Sequence, residues 1–521
     1  MNTVNNALLC NNFGGIRRVS SSFSSSLITA SDIQNVELFD TGINSGVGIR
    51  TMKGNTSVLN LPDDEKIINI FKSVQKTNDY LFIHTENEIE GKIYLYDIPS
   101  KILSLKKDGL SLTGVSCGVD FAFGWSDLFI FSNGEELLSI ELENRNQQGE
   151  LDEVRIIDAL DCEGNKVKGL GLVVFDGRLW LFNKNRLIYS VKENCYDFST
   201  SLDGIITSAG FIEFPKNITA ICKYISALAV FHEDSSCMIT IASDYNYVRS
   251  QDSPGGCAGM SSLAFHGSHL YFYDNIKKSL FAFSQIINGE KTLVDNLAKD
   301  LLEEFCAVPN QFLNNIKLYS VIDSLHNEIW MVLPTRDEYS VILIYDYIHS
   351  QWVKRKSQKI NSLISFNDEL YSAGGNKLFK EYEGDDFDGE FIESFYTCSP
   401  MNLNIDNAMK ILYIPPRLTL DMNYTNHFML QYTRDYDALN KVKYKEIFTK
   451  TIKNIFRWDV SLWDSFDIFK PKETNSIKRL PISCFKTLEM KFYTSPVDAG
   501  EEPQGFAIKN IEFSRIKVKQ L

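Results

Sequence analysis

Two stretches of the chain gather side chains of the kinds that hold ions or move protons. The first, Tyr382–Pro400, reads YEGDDFDGEFIESFYTCSP and sets Asp385, Asp386 and Asp388 between Gly384 and Gly389. Clustered carboxylates chelate calcium or work as acid–base pairs. A calcium loop of the form D-x-[DN]-x-[DN]-G needs an acidic first ligand and a Glu at position twelve. With Asp388-Gly389 at positions five and six, position one is Gly384 and position twelve is Phe395, so two anchoring ligands are missing. The residues suit a turn better, because Asp side chains hydrogen-bond local backbone and Gly389 accepts positive φ. The second stretch is His266-Gly267-Ser268-His269. No Cys or carboxylate stands beside it at metal-ligand spacing, and it reads as a turn before the strand LYFYD.

Other chemistry is missing its signatures. There is no G-x-S-x-G nucleophile elbow, no phosphate-binding P-loop and no G-x-G-x-x-G opening a helix. A glycosidase needs a carboxylate pair, but no two of the 67 Asp and Glu residues stand out, and the S-x-D-x-G-x-T-W box of sialidase-like proteins is absent. The sequence therefore predicts no catalytic residue, no metal and no cofactor. The ten cysteines (Cys10, Cys117, Cys162, Cys195, Cys222, Cys237, Cys257, Cys306, Cys398 and Cys484) are scattered without a C-x-x-C pair, which predicts reduced and mostly buried thiols. A net charge of −14 argues against sequence-independent nucleic-acid binding, which needs clustered Lys and Arg. No apolar run reaches the ~20 residues of a membrane span. Arg17-Arg18 is followed by SSSFSSS and not by an apolar stretch, so the start reads as a Ser-rich arm.

The elements that would position any site form a repeat. Segments such as DYLFIHTENEIEGKIYLYDIP, WSDLFIFSNGEELLSIEL, DGRLWLFNKNRLIYSVKEN, ISALAVFHEDSSCMITIA, GSHLYFYDNIKKSLFAFS, HNEIWMVLP and NDELYSAGGNKLFKEY follow one another. They recur near the ~40–50-residue period of propeller blades. Further apolar strands stand upstream of most copies, among them SCGVDFAFGW, GLGLVVFDG and NSLISFND. Each unit reads as three or four antiparallel strands with period-two alternation, and stacking such sheets about an axis buries both faces. The expected fold is all-β: a six- or seven-bladed β-propeller over 56–395, preceded by an arm and entry segment over 1–55 and followed by a C-terminal β-sandwich over 396–521. An array of β-sandwiches is the competing topology. Asp295–Phe305 is the one helix candidate.

The run VILIYDYIHSQWVKRK, then LISFNDELYSAGGNKLFKEY, the acidic turn DDFDGEFIESFYTCSP and MKILYIPPRLTL resembles tail nozzle, or tail hub, proteins of short-tailed bacteriophages. ELFDTGINSGVGIRTMKGN resembles their entry segment and NIEFSRIKVKQL their closing strand. The Asn-, Ile- and Lys-rich wording is similar to that of phages with AT-rich genomes, the crAss-like group among them. This sequence departs from a tighter DDG turn by the inserted Phe387. The resemblance implies a structural virion protein, made in the host cytoplasm, that closes into a ring with copies of itself, commonly six, around the DNA exit channel. Its partners would be a head–tail adaptor or ring protein, tail fibres and genomic DNA in transit. A negative chain suits a channel that DNA must pass without sticking. On that reading the loops at Asp385, Asp386, Asp388 and Gly389, and at Asp252, Gly255 and Gly256, are candidate channel, gate or interface loops. The alternatives are a β-propeller binding module for a receptor or protein partner, and a carbohydrate-active enzyme.

Overall fold

The repeated strands are built by local rules. Asp176-Gly177 and Asn367-Asp368 hold both central turn positions at positive φ (53° and 68°, 50° and 63°), the two-residue turn geometry whose twist matches that of paired strands. They close hairpins between Leu170–Phe175 and Arg178–Asn183 and between Ser362–Phe366 and Glu369–Gly374. The computed structural model describes residues 3–4, 8–10, 12–16, 27–42, 46–75, 78–124, 126–141, 153–200, 208–242, 246–287, 290–294, 301, 304–305, 308–336, 338–401, 408–424, 426–434, 442–449, 475–496, 504–514 and 516–520. Most of the Asp295–Phe305 helix candidate, Arg17-Arg18 and the serine run lie outside them. The described residues are almost wholly strand and turn, in two units: 1–55 with 343–356 and 382–521, and 56–342 with 357–381.

The second unit carries the first strands of seven antiparallel sheets, which we number I to VII by those strands. These are Lys66–Gln75, Cys117–Phe123, Leu170–Phe175, Ala220–Tyr224, Leu263–His266, Lys317–Ile322 and Ser362–Phe366. Sheets I, II, III and V each run through four strands in chain order, and sheet IV adds a fifth short one at Ser253–Pro254. Sheet VII takes its last strand, Asn55–Asn60, from the far end of the sequence. That return closes a circle, because Leu61 N donates to the Asn376 carbonyl (2.9 Å) and Ile67 N to that of Gly375 (2.7 Å).

The core lies between sheets and not within one. Ile130, Leu128 and Phe121 of sheet II pack with Leu172, Leu179 and Leu181 of sheet III. Trp180 and Leu187 of sheet III pack with Ile221, Leu228 and Val230 of sheet IV. Phe231 and Met238 of sheet IV pack with Leu270, Phe272 and Phe283 of sheet V. Sheet I buries Phe82 against Phe129 of sheet II, rings stacked at 4.1 Å, and its other face against Tyr371 and Leu378 of sheet VII. Sheets I to IV thus hide both faces, as the alternating pattern requires. This is a propeller-type arrangement.

The first unit is built differently. One large sheet runs in the order Lys443–Thr449, Asn426–Arg434, Leu488–Tyr493, Phe395–Cys398, Leu27–Gln34, Asn12–Ile16, Val47–Thr51, Ala507–Phe513, Arg417–Asp421, Asn475–Arg479. A smaller sheet joins Thr3–Val4, Ile516–Gln520, Ala408–Leu412 and Cys484–Phe485. The first 55 residues, expected as an arm ahead of the first blade, supply central strands of this sheet. Tyr396 anchors them: its ring meets Phe13 edge-on at 5.6 Å, and its buried hydroxyl lies 2.8 Å from the carbonyls of Gly14 and Ile28.

Candidate functional site

Small polar residues stand where several of the first strands begin. The Asn361 side chain donates to the Ile67 carbonyl (2.8 Å), Ser362 Oγ to Asn69 Oδ1 (2.5 Å), and Asn69 Nδ2 to the Ser116 carbonyl (3.1 Å). Ser132 Oγ reaches Gly169 O (2.6 Å) and Ser262 Oγ reaches Ile316 O (2.5 Å). These bonds tie VII to I, I to II, II to III and V to VI. They fix the strand starts around one end of the circle. There residues at or near the starts of all seven first strands line an open cavity of about 620 Å³. Asn69, Ser116, Thr219, Ser261, Lys317 and Asn361 line it, each from a different sheet or its entry segment.

Lys317 is the charged group set deepest in this wall. It opens the first strand of sheet VI, and its half-buried amine donates to the Asn361 carbonyl. Burial pushes it down to about 8, and the nearby Lys66 adds to the shift. The Tyr319 hydroxyl donates to the same carbonyl at 3.3 Å and is itself raised by burial. Lys359 stands exposed at the rim. The lining residues include no Asp or Glu.

Ser116 Oγ lies 3.0 Å from Nδ1 of the fully buried His84, whose Nε2 is 4.0 Å from Glu86. Burial pushes His84 down to about 4, against the opposing pull of Glu86 and Glu136. That is far below the near-neutral value that suits a general base. The neutral ring therefore sits behind the lining residue Ser116 and orients its hydroxyl.

The residues singled out from the sequence lie elsewhere. The acidic turn belongs to the first unit, which the chain re-enters at Tyr382. Gly54 N donates to Gly384 O, Asn55 N to Asp386 O (3.0 Å) and Asp388 N to Asn55 O (2.9 Å). Asp388 and Gly389 take φ of 50° and 91°, and Gly389 N donates to Asp386 Oδ1 at 3.0 Å. Asp385 pairs with Lys53 at the surface. Phe387 is buried, and the fully buried Arg355 guanidinium stacks over it at 4.9 Å and over Tyr382 at 5.5 Å. The inserted Phe is the anchor of the turn.

The Gln251–Gly259 loop is also tied down. Ser253–Pro254 pairs with Ser235-Ser236, and Cys257 N donates to His232 O at 3.0 Å. Asp252 pairs with Arg249 at 2.7 Å. Gly255 takes φ 119°. A side chain at Gly256 would fall 1.9 Å from Glu233 O. Only the last residue of this loop, Gly259, reaches the cavity. His266 and His269 face each other across a hairpin, and His266 Nδ1 lies 2.8 Å from Ser320 Oγ. Among the described residues no group of three or more His, Cys, Asp or Glu is placed to hold a metal ion, and no helix is long and apolar enough to cross a membrane.

The cavity residues were not singled out from the sequence. A signal was present: Ser116-Cys117, Ser261-Ser262 and Asn361-Ser362 recur just where an apolar first strand starts.

No family model and no curated protein matches the sequence. Among solved structures the chain is similar to virginiamycin B lyase from Staphylococcus aureus, at 12% identity and a TM-score of 0.41, over 62% of this chain and 97% of that one. It is similar to a streptogramin B lyase at 13% identity and 0.38, over 63% and 95%. A chain of the mitotic checkpoint complex matches at 11% and 0.39, over 63% and 92%. At these values the likeness carries no substrate and no residue role to this chain.

Proposed function

We propose that the second unit is a seven-bladed β-propeller acting as a binding module, with the axial cavity as its binding site and no turnover. The observation that carries this reading is that residues at or near the starts of all seven first strands line one cavity of about 620 Å³, within the ~300–1,000 Å³ of small-ligand sites. The test is a thermal-shift screen of small molecules against the full chain and a Ser261→Trp variant that fills the cavity. Compounds that stabilise the first and not the second support the reading. A screen in which no compound separates the two overturns it.

The tail-nozzle reading is a second proposal. It is favoured by the element order at the end of the propeller, where sheet VII leads through the anchored acidic turn into a second β-unit. It requires a ring of copies, commonly six, through heterologous interfaces. Light scattering of the purified chain, alone and with its gene neighbours' products, tests it: a ring mass supports it, and a monomer under every condition overturns it.

A further inference from the structure

We propose that the axial cavity binds a small oxyanion, the carboxylate or phosphate group of a low-molecular-weight acid, at Lys317, with Lys359 adding positive charge at the rim. The inference rests on reading the second unit as a binding propeller and names the class of its ligand. Charge is the first observation. The chain has 67 acidic against 53 basic residues, yet the cavity wall holds two lysines and no carboxylate. The second is the state of Lys317. Among the described residues its amine meets a backbone carbonyl, that of Asn361, and the neighbouring charge is the like-charged Lys66. A half-buried ammonium without a counter-ion leaves a desolvation cost that an oxyanion would offset. Ser261, Asn315 and Thr335 add neutral polar residues to the same cavity lining.

The charged group facing the amine is Lys66, from sheet I, with the Tyr319 hydroxyl on its own strand; Lys359, before sheet VII, lines the same cavity at its exposed rim. Burial sets Lys317 at about 8, so the amine is mainly charged at neutral pH. Anion binding should weaken as pH rises past 8.

Isothermal titration on the full chain at constant ionic strength tests this, with sodium phosphate, sodium succinate and the neutral succinamide as probes. One or both anions should bind, and which one does separates a phosphate ligand from a carboxylate. Succinamide and the Lys317→Met variant should each lose about tenfold or more in affinity, the scale of one hydrogen bond to a charged group. Lys317→Arg should keep most of the affinity. Lys359→Met should lose about threefold, as an exposed charge does. Lys223→Met, exposed at the far end of the first strand of sheet IV, should change nothing. Binding unaltered by Lys317→Met, with the variant's melting curve intact, overturns the assignment. If neutral compounds from the screen occupy the cavity and both anions fail, the oxyanion assignment falls and the binding propeller stands. If nothing occupies the cavity, both fall.

Discussion

The acidic turn at 382–390 and the axial cavity invert each other. The turn is the most conspicuous charged run in the sequence, and its groups are spoken for: Asp386 caps Gly389, Asp385 meets Lys53, and Phe387 fills a site under Arg355. The cavity is built from residues that attract little notice in the sequence, and it holds the half-buried Lys317, whose amine among the described residues meets the Asn361 carbonyl with the like-charged Lys66 nearby. Charge density along the chain therefore marks architecture here, and an unbalanced charge in space marks the candidate site.

The comparison breaks first at Phe387. If the turn is architectural, Phe387→Ala should cost about 3–5 kcal/mol of stability, the range for a buried Phe, read by urea denaturation. A loss below about 1 kcal/mol would mean the ring anchors nothing. Acid should act next, on the cavity side. His84 has its pKa at about 4 folded against about 6.5 unfolded, so the unfolded chain binds the extra proton first. The stability it contributes is whole above pH 6.5 and is lost as pH falls to 4, by up to about 3 kcal/mol. His84→Asn should flatten that slope in denaturation curves taken at each pH.

Gly54→Ala sharpens the turn's side of the contrast, because the added carbon would fall 1.5 Å from the Asp386 carbonyl oxygen. We expect a loss of about 1–3 kcal/mol, as for other overpacked sites, visible as a lower melting temperature. Asp385→Asn should be smallest, under about 1 kcal/mol, since the pair with Lys53 is exposed. On the cavity side, Lys317 titrates near 8 folded and near 10.4 unfolded. Stability should therefore rise across that window relative to Lys317→Met.

Parts of this were readable in the sequence for a physical reason. Sheets I to V pair neighbours in the chain, so period-two runs such as LYFYD and LFAFS, with turn residues between them, announce each hairpin. The last strand of sheet VII was not readable, because Asn55–Asn60 joins a strand more than 300 residues later. The same holds in the first unit, where Leu27–Gln34 lies beside Phe395–Cys398. Nothing local in LITASDIQ points to FYTC. The turn's positive φ at Gly389 followed from its residue type, and the role of Phe387 did not, since its partner Arg355 is brought to it by the fold. Lys317 looked like any strand lysine, and only burial distinguishes it.

The most direct test of the contrast is hydrogen–deuterium exchange of the full chain with and without saturating succinate or phosphate. The account predicts slowed exchange at 114–117, 315–317 and 359–361, with 382–390 unchanged. Exchange slowed at 382–390 alone, or unchanged throughout, would contradict it.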